Sequence, residues 1–211
     1  MEYLTDEEQV ERLRRWWKEY GLALVSGVVI AVLIVIGTRY YRRYEAQKAQ
    51  NASMIYTTMM SNAISKDDTG ARVAAKKVIS TFPSTPYASL ASLWLGQQAA
   101  MKGDLGGAIA RLRWTLLHSD MDSVRQVSRL RLARIYLAQK APEKALQSID
   151  VVNDKAYVGL IDELKGDAYV QLKKTSLARK YYQKAMVRIP NSAVTEPMLS
   201  LKLADLPANN A

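Results

Sequence analysis

From Tyr20 to Thr38 the chain runs through 19 residues, YGLALVSGVVIAVLIVIGT, without a charged side chain. Wound as an α-helix at ~1.5 Å per residue, the segment spans roughly 28 Å, close to the hydrocarbon thickness of a bilayer at ~30 Å. A segment this apolar is either wrapped inside a core or placed in lipid, and no other stretch of the sequence is apolar enough to wrap it. Its flanks fit lipid. Trp16, Trp17 and Tyr20 stand at one end and Tyr40, Tyr41 and Tyr44 at the other, where amphipathic rings favour the membrane–water interface. The run is longer than a secretory h-region, and Thr38-Arg39-Tyr40-Tyr41 offers no small-residue cleavage site. An uncleaved single span over 20–38 is expected, with Trp16, Trp17, Tyr20, Arg39, Tyr40 and Tyr41 at the interfaces.

Charge does not orient the span. Arg12, Arg14, Arg15 and Lys18 precede it, and Arg39, Arg42, Arg43 and Lys48 follow it. With four basic residues on each side, the positive-inside rule favours neither orientation. Residues 1–19, an acidic segment, are expected to form a short helix of their own, with Thr5 and Glu8 placed as a capping box.

Beyond the span the sequence is helical and repetitive. Residues 39–66 contain neither Gly nor Pro and read as a juxtamembrane helix. A small residue then recurs at Gly96, Ala133 and Gly166, spacings of 37 and 33, and each is followed 12 positions later by Ala108, Ala145 or Ala178. Leu112, Ile149 and Tyr182 come four residues further on. The pattern resembles the 34-residue tetratricopeptide unit, two helices whose small residues permit close approach while a larger side chain fills the remaining gap. Turns are expected at Lys102-Gly103-Asp104 (with Gly106 and Gly107), Gln139-Lys140-Ala141-Pro142 and Lys173-Lys174-Thr175, and Pro190 closes the third pair. A weaker fourth unit over 50–82 has Ala74, Val78 and Pro86 in register. Repeats therefore occupy 67–192, and a capping helix and tail occupy 193–211, with Pro197 near the helix start. The fold class is all-α: one amino-terminal transmembrane helix followed by a tetratricopeptide-like solenoid.

The residue inventory argues against chemistry. There is no Cys and one His, His118, which removes disulfides, thiol nucleophiles and histidine-based metal cages. Gly103, Gly106 and Gly107 lack the Lys-Ser/Thr of a phosphate loop. Asp67-Asp68 and Asp120-Met121-Asp122 are placed to cap helices. No catalytic residue, metal or cofactor is expected. From position 45 onward there are 23 basic and 14 acidic residues. They are dispersed along helices, so no nucleic-acid partner is expected, and membrane lipid or acidic client segments are the simpler counterparts.

Repeats of this kind bind protein segments on the surface made by the first helix of each pair. In that register the groove comprises Leu93, Gln97 and Met101, then Leu130, Arg134 and Leu137, then Glu163, Asp167 and Gln171. Met54, Met59 and Met60 add either core or an adaptable apolar surface.

The acidic amino terminus, a span ending in Gly37-Thr-Arg-Tyr-Tyr and the segment Tyr87-Ala-Ser-Leu-Ala-Ser-Leu-Trp-Leu-Gly-Gln-Gln carry a family resemblance, extended by Leu130-Arg-Leu-Ala-Arg-Ile, Leu164-Lys-Gly-Asp-Ala and Met198-Leu-Ser-Leu-Lys-Leu. Together they resemble the YfgM-like family, ancillary subunits of the bacterial SecYEG translocon. The resemblance implies a non-enzymatic type II inner-membrane protein with periplasmic repeats. Its implied partners are the translocon, a membrane-anchored peptidyl-prolyl isomerase-like chaperone, and periplasmic chaperones receiving secreted clients. A cytoplasm-facing adaptor and a subunit of outer-membrane protein assembly remain the alternatives.

Overall fold

A computed structural model describes residues 6–152, 155–189 and 195–207. They form α1 (Asp6–Ile64), α2 (Asp68–Thr81), α3 (Pro86–Met101), α4 (Leu105–His118), α5 (Asp122–Ala138), α6 (Pro142–Asp150), a 3₁₀ turn (Lys155–Tyr157), α7 (Val158–Gln171), α8 (Thr175–Arg188) and α9 (Thr195–Ala204). The chain divides into two compact units, 1–50 and 51–211. Thr5 of the expected capping box, and Pro190, lie outside the described residues.

The first unit is the amino-terminal part of α1. The short helix expected over 1–19 is not a separate element, because α1 runs on from Asp6 without a break. Polar atoms inside the apolar run are satisfied locally: Ser26 Oγ donates to the Ala23 carbonyl at 2.9 Å and Thr38 Oγ1 to the Val35 carbonyl at 3.0 Å. Hydroxyls bonded back to the preceding turn can sit in hydrocarbon. The apolar side chains face outward, Leu22 at 85% and Leu33 at 63% exposure, so the segment is long and apolar enough to cross a membrane.

The second unit is a stack of antiparallel helix pairs: the end of α1 with α2, then α3/α4, α5/α6 and α7/α8, closed by α9. The repeat is clearest in the turns. Lys66, Gly103, Lys140 and Lys173 all take positive φ, between 58° and 79°. In each case the next amide reaches back to the preceding helix: Asp67 to the Asn62 carbonyl, Asp104 to Ala99, Ala141 to Tyr136 and Lys174 to Tyr169, all at 2.9 Å. This is the Schellman closure, which satisfies carbonyls the helix end leaves orphaned. Lys66 places the weak fourth unit in the same series.

Two local expectations change. Gly106 and Gly107 lie in the first turn of α4 rather than in the connection, because the Asp104 carboxylate accepts from the Gly107 amide at 2.7 Å and starts the helix. Asp67 does the same for Gly70 at 2.9 Å. Thr175 is the first residue of α8, not a turn residue.

The interior follows the spacing read from the sequence. Ala108, Ala145 and Ala178 are fully buried, as are Leu112, Ile149 and Tyr182 to within 3%. Gly166 is needed for space: a methyl there would run into the Tyr182 ring, whereas one at Gly96 would meet only ordinary contacts. Met59 is core between α1, α2 and α3, Met60 is half-buried against it, and Met54 is exposed.

Candidate functional site: the face of α3, α5 and α7

The first helices of successive pairs, α3, α5 and α7, lie side by side, and α9 packs beyond them. Close packing against the second helices fixes which face each turns outward. Ser92 Oγ donates to the Arg111 carbonyl at 3.0 Å, tying α3 to α4. Gln171 Nε2 donates to the Leu137 carbonyl at 2.9 Å, tying α7 to α5.

Two cavities open on this face. Between α3 and α5 lies one of about 270 Å3, floored by Gly96, Ala100, Leu112 and Ile135 and bordered by Gln97, Arg131 and Arg134. The other, of about 480 Å3, lies among α5, α7 and α9. Arg134 and Leu137 of α5 face Glu163 and Asp167 of α7 across it, with Met198 and Lys202 from α9. Arg134 borders both.

The structure brings some of the expected groove residues together and not others. Gln97 and Arg134 are exposed at the first cavity; Leu137, Glu163 and Asp167 line the second. Leu93 and Leu130 are buried in the core and line neither cavity. Met101 is 73% exposed at the end of α3. Gln171 is spent on the Leu137 carbonyl, away from both cavities.

The carboxylates of α7 are committed. Lys202 Nζ donates to Glu163 Oε1 and to Asp167 Oδ1, both at 2.8 Å, and Tyr182 Oη donates to Asp167 Oδ1 at 2.7 Å. Glu163 is 7% exposed, so its charge needs such a partner. Burial works against the Lys202 ammonium, but its hydrogen bonds to Asp167 and Glu163 outweigh that and hold its pKa above the usual lysine value. Burial, then the bond to Asp167, pushes the Tyr182 phenol up as well. Asp162, 5% exposed, is paired with Arg188 at 2.6 Å.

Arg131 and Arg134 of α5 are not neutralised in this way. Arg134 has no hydrogen-bond or ion-pair partner among the described residues, and Arg131 makes one long bond, 3.4 Å, to the Leu93 carbonyl. Burial, and then the neighbouring Arg134 charge, lower the pKa of Arg131 from its usual value.

Sequence reasoning missed Lys202 and Met198. The signal was faint: Glu163 and Asp167 sit four apart, one turn of one helix face, and so demand a cation, but nothing local says it comes from α9. Of the expected capping acids, Asp67 caps α2, while Asp122 lies inside α5 and accepts from Arg125 and Gln126 instead. His118 stacks on Trp114 at 4.2 Å, its Nδ1 2.9 Å from the Trp114 carbonyl. Trp16, Trp17, Tyr20, Tyr40 and Tyr41 are all exposed along α1, as is Arg39.

A helical array built on this repeat, preceded by an apolar helix of membrane-spanning length, defines a class. Residues 14–208 match the tetratricopeptide repeat-like domain, and the chain belongs to that family. It is 29% identical over 204 residues to the protein of Escherichia coli (strain K12) named ancillary SecYEG translocon subunit, covering 97% of this chain and 98% of that one. Proteins of the same name from Haemophilus influenzae and Neisseria gonorrhoeae are 25% and 23% identical, each covered over at least 98% of its length. The resemblance read from the sequence motifs and these comparisons agree.

Proposed function

We propose that the chain is a single-pass inner-membrane protein, anchored through 20–38, that acts without catalysis as an interaction subunit at the SecYEG translocon. The observation that carries this reading is the full-length similarity to proteins of that name, on a chain with a membrane-length apolar helix ahead of a tetratricopeptide-like array. The orientation we infer is type II: amino terminus in the cytoplasm, repeats in the periplasm. There the face of α3, α5 and α7 engages secreted chains and helps pass them to periplasmic chaperones, including a membrane-anchored peptidyl-prolyl isomerase-like one. Trp16, Trp17 and Tyr20 seat one membrane interface and Arg39, Tyr40 and Tyr41 the other. Lipid contacts the span and its basic flanks.

Photo-cross-linking amino acids at Gln97, Arg134 and Asp167 in living cells test the reading. Adducts with secreted chains or chaperones are expected from Gln97 and Arg134, with an exposed lysine such as Lys144 as the silent control. Absence of adducts at all three would remove the face from the account. Adducts with cytoplasmic proteins alone, or with outer-membrane assembly components alone, would replace the translocon reading.

A further inference from the structure

We propose that the α3/α5 half of this face is specific for a segment that couples apolar side chains to a carboxylate, the carboxylate being held between Arg131 and Arg134. The inference rests on the protein-binding reading of the face given above and names the chemistry of what binds.

Three observations converge. The first is like charge without relief. Arg131 and Arg134 are three residues apart on α5, hence on one helix face. Both border a cavity whose lining holds no Asp or Glu. The carboxylates that line the neighbouring cavity, Glu163 and Asp167, are already bound to Lys202. Partial burial and mutual repulsion disfavour the charge on Arg131, so an incoming anion is favoured there beyond what a solvated arginine offers. The second is the floor. Gly96, Ala100, Leu112 and Ile135 are apolar, and about 270 Å3 accommodates one or two side chains rather than a bare ion alone. Guanidinium forks over an apolar floor match a carboxylate carried beside an aliphatic residue, because the fork recognises the carboxylate plane while the floor takes the side chain.

The third is an occupant already in place one cavity along. There α9 lays Met198 against the cavity and sets Lys202 between two acids, while its Leu199 is buried on the other side against Ala178, Tyr182 and Ala185 of α8. The face thus takes one apolar side chain, Met198, plus one complementary charge, Lys202, from α9. The α3/α5 half offers the same arrangement with the sign reversed, and nothing among the described residues fills it.

The test uses the full chain in zwitterionic nanodiscs and three peptides carrying a neutral dye, identical in their leucine and alanine content but with Glu, Gln or Lys at a central position. Anisotropy titration is expected to show the Glu peptide binding about tenfold more tightly than the Gln peptide, the size expected for hydrogen bonds to a charged group. Arg134→Gln should abolish that preference and Arg134→Lys should retain part of it. Arg134→Glu should turn the preference toward the Lys peptide. Arg134 is exposed, so these variants are expected to keep the wild-type helicity and melting temperature. Equal binding of the Glu and Gln peptides would overturn the inference while leaving the groove itself intact. No binding by any of the three would overturn the inference and the protein-binding reading together. Displacement of the Glu peptide by phosphatidylglycerol vesicles, but not by phosphatidylcholine ones, would assign the arginine pair to lipid instead.

Discussion

Lys202 is the residue on which the carboxyl-terminal closure depends. It reaches 35 and 39 residues back along the chain to Asp167 and Glu163, so removing it leaves two half-buried or buried acids without their cation. Lys202→Met is expected to destabilise the second unit by about 1–3 kcal/mol, read by chemical denaturation, and Glu163→Gln in the same chain should recover part of the loss. A wild-type value would show that α9 is held by Leu199 alone. The pH dependence has a definite sign. Lys202 and Tyr182 both bind their proton more tightly folded than unfolded. Their contribution is therefore complete below about pH 10, the unfolded range of these side chains, and fades as pH rises through the folded values. Amide exchange of α9 should stay constant from pH 7 to 10, after correction for the intrinsic rate, and accelerate above it. Release of α9 within the neutral range would contradict the assignment. Glycines separate in the same way. Gly166→Ala should cost about 1–3 kcal/mol, because the Tyr182 ring it displaces is fixed by Asp167. Gly96→Ala, with only ordinary contacts, should be neutral or up to about 1 kcal/mol stabilising.

At the scale of elements, the repeated turn explains both what the sequence makes legible and what it hides. Spacing of small residues locates three helix pairs, and burial of Ala108, Ala145 and Ala178 shows why that spacing is legible: each sits where two helices touch. The left-handed residue of the turn is hidden, since three of four positions carry lysine, a residue with no preference for that conformation. Gly106 and Gly107 mislead in the opposite direction. Two glycines beside a third suggest a loop, yet Asp104 caps α4 across the first turn and a Cβ at Gly107 would collide with the capping carboxylate. Groove positions follow from register alone. Register places residues around a helix but does not say how deeply a neighbour covers them, and so Leu93 and Leu130 fall in the core. Lys140→Gly, which relieves a left-handed lysine, should raise stability by about 0.5–1 kcal/mol. Asp104→Ala should lower it by about 1 kcal/mol. Thermal melts of the two single variants decide both, and opposite signs would refute the turn account.

At the scale of the molecule, the two units answer different physical demands. Residues 20–38 present apolar side chains outward, while the described residues from 51 onward bury three apolar clusters and display a face with both signs of charge. Which side of a membrane that face occupies is beyond the reach of charge counting, because basic residues balance across the span. Topology is the central claim. The chain has no cysteine, and Gln9, Ser123 and Ser176 are exposed positions on α1, α5 and α8. Single cysteines at these three sites, treated in intact cells with a membrane-impermeant maleimide, give a direct answer. Labelling at 123 and 176 with protection at 9 is the predicted result and places the repeats in the periplasm. Labelling at 9 with protection at 123 and 176 would put them in the cytoplasm and contradict the proposed function.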